Sequence, residues 1–219
     1  MGPRKVFEME LDELNNDLLE MGSVVEKQIY SSVKSLMDKD LKLSEMVIKN
    51  DDLIDDSMRK IETKCIKIIA MQQPIATDLR FIFTCINIVT DLERMADHAV
   101  DIAKITKGLE NEIYDPNILD ISKMAELVIQ MIKDVLRAYV DRDLEKAYEI
   151  AKRDDILDEI YMDVFKDTLK QMTKDNLMIQ QGTRFLFAFK YLERIGDHVT
   201  NICEWIIYII TGEHIDLND

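Results

Sequence analysis

The sequence predicts an all-α fold of six helices forming two pseudo-symmetric three-helix bundles, a tandem repeat. Three observations carry that expectation. Apolar residues return at alternating steps of three and four along most of the chain. Gly and Pro number only six and three in 219 residues. A ten-residue string recurs one hundred positions after its first appearance. Steps of three and four put side chains on one face of a helix, whereas a strand would show sustained alternation, which no segment has. Many Leu, Ile, Met, Glu, Asp and Lys with little Gly or Pro favour helix over sheet.

The first helix, about 5–38, carries Leu11, Leu14, Leu18, Met21 and Val25 on its buried stripe. Asp38-Lys39 turns the chain, and Asp40 caps a second helix over about 41–71. Pro74 lies in a loop, and Thr77 reads as the N-cap of a third helix, about 77–109. Gly108 to Asp115 is the longest break. There Asp115-Pro116 reads as N-cap and first-turn proline of a fourth helix, about 116–140. Ile121, Ala125, Val128, Ile132, Val135 and Tyr139 form its stripe. Asp141 to Asp143 is a tight turn into a fifth, about 144–174. The sixth starts between Asn176 and Thr183 and runs over about 178–212. Its end, Glu204-Trp205-Ile-Ile-Tyr-Ile-Ile210, reads either as core or as an apolar patch facing a partner.

The repeat is explicit. Asp91-Leu-Glu-Arg-Met-Ala-Asp-His-Ala-Val returns as Tyr191-Leu-Glu-Arg-Ile-Gly-Asp-His-Val-Thr, and Asp51-Asp-Leu-Ile-Asp55 returns as Asp154-Asp-Ile-Leu-Asp158. Both matches fall on the second and third helices of their half. Two units, 5–109 and 116–212, explain this. A purely structural duplication accounts for matched apolar positions but not for matched acidic ones.

Composition narrows the function. The net charge of −15 excludes general affinity for nucleic acid and opposes adsorption to an anionic leaflet. Cys65, Cys85 and Cys203 form no C-x-x-C pair and sit in apolar runs, which suggests core packing in a reducing compartment. Residues 4–13 are mostly charged, so no secretory leader is expected there. Apolar runs reach only about ten residues, as in Phe81–Thr90, against the roughly 20 that a spanning helix needs. A cytoplasmic protein without direct membrane insertion is expected.

The stripes of the second and third helices of each half contain acids where apolar residues belong. On the second helix the stripe is Val47, Asp51, Ile54, Met58, Ile61, Cys65 and Ile68. On the third it is Phe83, Ile86, Thr90, Glu93, Asp97 and Val100. The second half repeats the pattern with Ala151, Asp154, Asp158, Tyr161 and Phe165, and with Leu186, Phe189, Glu193, Asp197 and Thr200. Carboxylates at i, i+4 stack on one face and repel unless something cationic or a proton lies between them. Burying one unpaired costs several kcal/mol. Lys or Arg from a neighbouring helix, a shared proton, or a metal ion held from two helices would each satisfy them. Asp51, Asp55, Glu93 and Asp97, and likewise Asp154, Asp158, Glu193 and Asp197, are the candidate ligands. All-oxygen ligation suits Mg, Mn, Ca or ferric iron better than Zn. His98 and His198 follow an acid directly and so point to a flank. With Arg94 and Arg194 they read as outer residues that orient or neutralise the acids, or as packing and surface charge. His214 is expected to be exposed.

At this point the residues resemble a known family. Tyr191-Leu-Glu-Arg-Ile-Gly-Asp-His-Val-Thr-Asn-Ile-Cys-Glu-Trp-Ile206 is similar to the signature of PhoU, the phosphate-transport accessory regulators. The string from Asp91 resembles its twin, and Gln73-Pro-Ile-Ala-Thr-Asp-Leu-Arg80 resembles the family's connection between helices 2 and 3. The likeness covers about residues 8–212. It implies two three-helix bundles, and metal clusters at the two acidic quartets, with a divalent or trivalent ion (Fe, Mn, Mg or Zn). It implies negative regulation of the phosphate-starvation response through contact with a membrane sensor histidine kinase and with the phosphate ABC transporter's ATPase, at the inner face of the membrane. A homodimer is expected. The first repeat departs from the pattern at Ala96, where the family has Gly, and at Asp101, where the second repeat keeps Asn201; both residues flank the quartets.

Enzymatic readings compete less well. A ferritin-like di-iron oxidase needs Glu-x-x-His on two helices, a spacing absent here. An all-α, metal-dependent nucleotide pyrophosphohydrolase would need basic residues for phosphates, and Arg80, Arg94 and Arg194 leave it open. No nucleophile–base pair, Gly-rich phosphate loop or dinucleotide fingerprint occurs. The expected protein is a regulator and not an enzyme.

Overall fold

The computed structural model describes residues 3–110, 112 and 121–217. Among them the chain forms α1 (Pro3–Asp38), α2 (Leu41–Gln72), α3 (Ala76–Gly108), α4 (Ile121–Asp141), α5 (Leu144–Ala151), α6 (Asp154–Lys174) and α7 (Met178–Thr211), and no strand. These are the six expected helices, with the fifth broken in two. The expected cap at Asp115-Pro116 and the first turn of the fourth helix lie outside the described residues.

Turn chemistry sets most of the boundaries. Asp40 accepts a hydrogen bond from the Leu43 amide at 3.0 Å, and Asp143 does the same for Lys146 at 2.9 Å. Each satisfies one orphan amide of a first turn. Lys39 and Arg142, one residue before each cap, take positive φ in equivalent places. The third helix departs from expectation. It starts at Ala76, and Ile75 caps it without a side-chain bond, so Thr77 is not its cap. The fifth helix departs more. At Lys152-Arg153 the chain turns, with the Arg153 amide bonded to Ile150 O at 2.9 Å, and Arg153 pairs with Asp134 of α4. Asp154 and Asp155 then open α6 as its first turn. Two basic residues followed by two acids are a helix-start signal that the continuous apolar spacing obscured.

α3 and α7 form the centre and pack antiparallel. Their partners step in opposite directions: Phe83 meets Trp205, Asp91 meets His198, and His98 meets Tyr191. The equivalence of residues 91–100 with 191–200 then puts the pseudo-twofold axis near Arg94 and Arg194. α1 and α4 pack on one side of this pair, and on each other, while α2 flanks α3 and α6 flanks α7. The stripes of α1 and α4 are buried as expected, with Leu11 partly so. Phe81 and Tyr139 stack at 5.6 Å where α3 meets α4. Cys65, Cys85 and Cys203 are buried thiols of the core.

The core includes Leu92 and Leu192 at equivalent positions, both fully buried, whereas Leu53 is 60 % exposed. Leu92→Ala and Leu192→Ala should each cost about 2–5 kcal/mol in urea unfolding. Leu53→Ala should stay within about 0.5 kcal/mol.

Candidate functional site

The acids do not sit in the core. The stripe expected to bury them is rotated partly to the surface: Phe83 is 45 % exposed, Thr90 and Asp158 are exposed, and Asp51, Asp55, Glu93, Asp97, Asp154 and Asp197 are half-buried. On α6 it is Leu157 and Thr168 that are buried, not Tyr161 and Phe165. Only Glu193 is buried, at 8 % exposure. The quartets therefore line two grooves, one between α2 and α3 and one between α6 and α7. α2 and α3 run antiparallel across the short 73–75 connection, so Asp51 comes level with Asp97, and Asp55 with Glu93. The same register sets Asp154 against Asp197, and Asp158 against Glu193.

The members of each quartet act on one another electrostatically. Burial, and then the charges of Asp97 and Asp55, push Asp51 up to about 6 from an ordinary 3.8. Burial, followed by Asp197, Asp158 and Glu193, pushes Asp154 up to about 7. Glu93 is raised by burial and then by Asp97. Glu193 and Asp197 are raised by burial as well, against the opposing pull of Lys190. Desolvation and like charge both disfavour the ionised form. They outweigh the first turn of α6, which favours a carboxylate at Asp154 through the helix dipole.

The cations present only partly compensate. Arg94 reaches Asp97 at 3.0 Å and Glu93 at 3.4 Å. Arg59 reaches Asp55 at 3.3 Å, and Lys190 pairs with Glu193. Lys190 was not expected from the sequence, although its i, i+3 spacing to Glu193 is a readable signal. Among the described residues two quartet oxygens, Asp154 Oδ1 and Glu193 Oε2, are buried without a hydrogen-bond partner, although the Thr200 side chain favours the ionised form of Asp154. Among the described residues no three His, Cys, Asp or Glu groups are drawn close enough to hold an ion already.

Gly196 explains one departure between the repeats. A Cβ there would lie 2.5 Å from Asp154 Oδ1 and 2.4 Å from Leu157 Cδ1. The missing side chain lets the Asp154 carboxylate lie against α7. Ala96 occupies the equivalent place and is buried, and Asp51 is shifted less than Asp154.

The outer residues divide into two unlike junctions across the axis. Asp91 Oδ1, buried at 8 % exposure, lies 2.9 Å from His198 Nδ1 and accepts from Asn201 Nδ2 at 3.2 Å. At the equivalent junction His98 stacks on Tyr191 at 5.6 Å, and its Nδ1 is buried without a partner. Burial, and then His198, lower its affinity for a proton. Asp101 is held by Lys104 at 2.9 Å. Arg194 is exposed. His214 is exposed as expected but stacks on Tyr208 at 4.1 Å.

The raised groups fix a sign. An unfolded carboxylate titrates near 4, so between that pH and its folded value the native state binds the extra proton and loses stability as pH rises. In chelator, the melting temperature should therefore fall from pH 5 to pH 8. Asp154→Asn should remove the part of the slope that extends to about 7, and Asp51→Asn the part that ends near 6. Gly196→Ala should push the Asp154 carboxylate outward, and carboxyl NMR titration should show its midpoint moving toward that of Asp51. A slope unchanged in Asp154→Asn contradicts the reading.

Comparison with known proteins agrees with this architecture. The PhoU domain family matches the chain twice, over residues 18–106 and 121–206, one match in each half. A phosphate-specific transport system accessory protein PhoU homolog of Clostridium acetobutylicum is 54 % identical over 217 residues, 99 % of each chain. The homolog of the same name from Streptococcus pneumoniae serotype 4 is 34 % identical over 98 % of this chain and all of its own. The crystal structure of the phosphate transport system regulatory protein PhoU from Streptococcus pneumoniae superposes with a TM-score of 0.88 at 33 % identity, covering 96 % of this chain and 99 % of that one. PhoU from Pseudomonas aeruginosa gives 0.88 and 33 %, covering 94 % and 100 %. No helix among the described residues is long and apolar enough to cross a membrane. The tandem fold, the full-length relatives and the two solved structures together establish that the chain belongs to the PhoU family.

Proposed function

We propose that this chain restrains the phosphate-starvation response and phosphate uptake by protein contacts, and that its two acidic grooves take metal ions. One observation carries the metal reading: in both halves the same four carboxylates repel one another in a half-buried groove, and in the second half two of their oxygens are buried with no partner. An ion bound there supplies the positive charge that the lysines and arginines leave short. The residues do the rest. Asp51 and Asp55 from α2 face Glu93 and Asp97 from α3, and Asp154 and Asp158 from α6 face Glu193 and Asp197 from α7, so each quartet joins two helices. Arg94 and Lys190 steady one carboxylate or two at the rim. Oxygen-only donors suit Fe, Mn or Mg better than Zn.

The regulatory reading rests on the family, whose members are named accessory or regulatory proteins of phosphate transport. The proposed partners are the phosphate ABC transporter's ATPase and a membrane sensor histidine kinase, met on the cytoplasmic side, with the protein as a homodimer. A nucleotide pyrophosphohydrolase finds less support. Arg94, the guanidinium at the first quartet, is engaged by Glu93 and Asp97 rather than presented to a phosphate chain.

A ligand that binds only the folded state stabilises it by about 2.7 kcal/mol at a hundredfold excess over Kd. For a chain of this length that is roughly 5–10 °C in Tm. Chelation of the purified protein should lower Tm by that order, and the quadruple variant Glu93→Gln, Asp97→Asn, Glu193→Gln, Asp197→Asn should not respond. Elemental analysis of the untreated protein should find the ion. In cells, deletion should leave phosphate-scavenging genes on in rich phosphate. Normal regulation in the deletion strain, or nucleotide turnover at enzyme-like rates, overturns the regulatory reading.

A further inference from the structure

A groove of about 470 Å³ lies where the end of α2, the start of α3 and the end of α7 meet, its nearest α3 residue about two helical turns from the first quartet. Ile69, Leu79, Phe83, Ile86 and Tyr208 line it, together with one cation, Arg80. Leu79, Phe83 and Ile86 step by four and three along α3, so they form one stripe over about two helical turns. Leu79 and Phe83 are 42 % and 45 % exposed. That is a large apolar surface left to water on a helix whose neighbouring positions are core. Phe83 is braced rather than mobile: its ring meets Trp205 edge-on at 5.9 Å, and Trp205 meets Tyr208 at 6.1 Å. The patch that the sequence leaves open at Trp205 is thus the back wall of a surface groove.

Arg80 gives the groove its polarity. Among the described residues its guanidinium forms no ion pair or hydrogen bond, and its Nε is buried without a partner. A Cβ at Gly212, the cap of α7, would come 3.5 Å from its Nη1, so the negative end of the α7 dipole holds the cation at the groove mouth. A buried donor left unsatisfied is costly, and a carboxylate answers it with a charge-assisted, two-pronged bond. On a chain of net charge −15, an acidic partner is repelled by most of the surface and is admitted where a cation without an ion pair among the described residues adjoins an apolar groove.

We propose that this groove docks an amphipathic helix of a partner protein, with apolar anchors at i, i+4 and i+7 and an Asp or Glu set against Arg80. Small-molecule sites enclose most of their ligand, and this groove, with its α3 wall nearly half exposed, does not. A helix laid along the stripe reads it in the manner of other helix-in-groove contacts. The docking surface is independent of the metal reading, since none of its lining residues belongs to a quartet.

The test uses a phage-displayed library of helical peptides, selected on the intact protein and counter-selected on Phe83→Asp. Phe83 is 45 % exposed and Arg80 half-buried, and circular dichroism should show Phe83→Asp and Arg80→Glu folded. Enriched peptides should carry the spaced apolar anchors with an acidic residue. They should lose at least tenfold in affinity on Arg80→Glu, and exchange of the peptide's acid for Lys should restore binding to that variant. Binders indifferent to Arg80→Glu, or a library with no Phe83-dependent binder, overturn the proposal. So does a shift from dimer to monomer in Phe83→Asp by sedimentation, which would assign the groove to a second copy.

Discussion

The antiparallel packing of α3 on α7 is the constraint from which the rest of the molecule follows. Both helices carry a near-identical string, and antiparallel contact about an axis near Arg94 and Arg194 turns that duplication in sequence into a twofold in space. Burial of Ile88, Leu92, Met95 and Ala99 on one helix, and of Ile195, Val199 and Ile202 on the other, fixes their rotation. Once the rotation is fixed, Glu93 and Asp97 face α2, and Glu193 and Asp197 face α6. The two acidic grooves are therefore consequences of the central seam, and neither can be displaced without repacking it.

Within that frame the grooves hold charge in conflict. Each carboxylate sits where a helical stripe would bury it and where its i+4 neighbour repels it. Rotation toward solvent, pairing with Arg94 or Lys190, and raised proton affinity each relieve part of the conflict. Asp154 retains the most, because Gly196 lets it lie against α7, and it does so although it opens α6, where the helix dipole favours its carboxylate. Ala96, in the place of Gly196, goes with a milder setting for Asp51. The halves share a plan but differ in electrostatic tension, and the second groove stands to gain more from a bound cation.

Periodicity made the helices legible, because a 3.6-residue repeat leaves its mark on every turn. The stripes of α1 and α4 and the cap at Asp40 were readable residue by residue, whereas Asp143 was legible only as part of a turn. The break before Asp154 was not, since apolar spacing stays in phase across a two-residue turn. The orientation of the acidic stripes was also hidden. A seam of steps three and four names a face but not what covers it, and Phe83, Thr90 and Phe165 face outward because no helix lies over them among the described residues. Lys190 and Asp91 escaped notice for different reasons. Lys190 is local and could have been found from its spacing to Glu193. Asp91 pairs with His198 across more than a hundred residues, a contact that exists only once the two halves are packed.

That contact shows why the repeats departed from identity where they did. Perfect duplication would build the same junction twice, once from residues 91, 198 and 201 and once from 191, 98 and 101. With acids at all of positions 91, 191, 101 and 201, each junction would set two carboxylates about one imidazole in a half-buried seam. The departures resolve this in pairs. Asp91 is buried because residue 201 is Asn, an amide that donates where an acid would repel. Asp101 is retained because residue 191 is Tyr, whose ring stacks on His98 and brings no charge, and because Lys104 holds the carboxylate aside. Each substitution acts within its own junction. Together they make one junction hydrogen-bonded and the other aromatic, so the two halves present different chemistry on either side of a common fold.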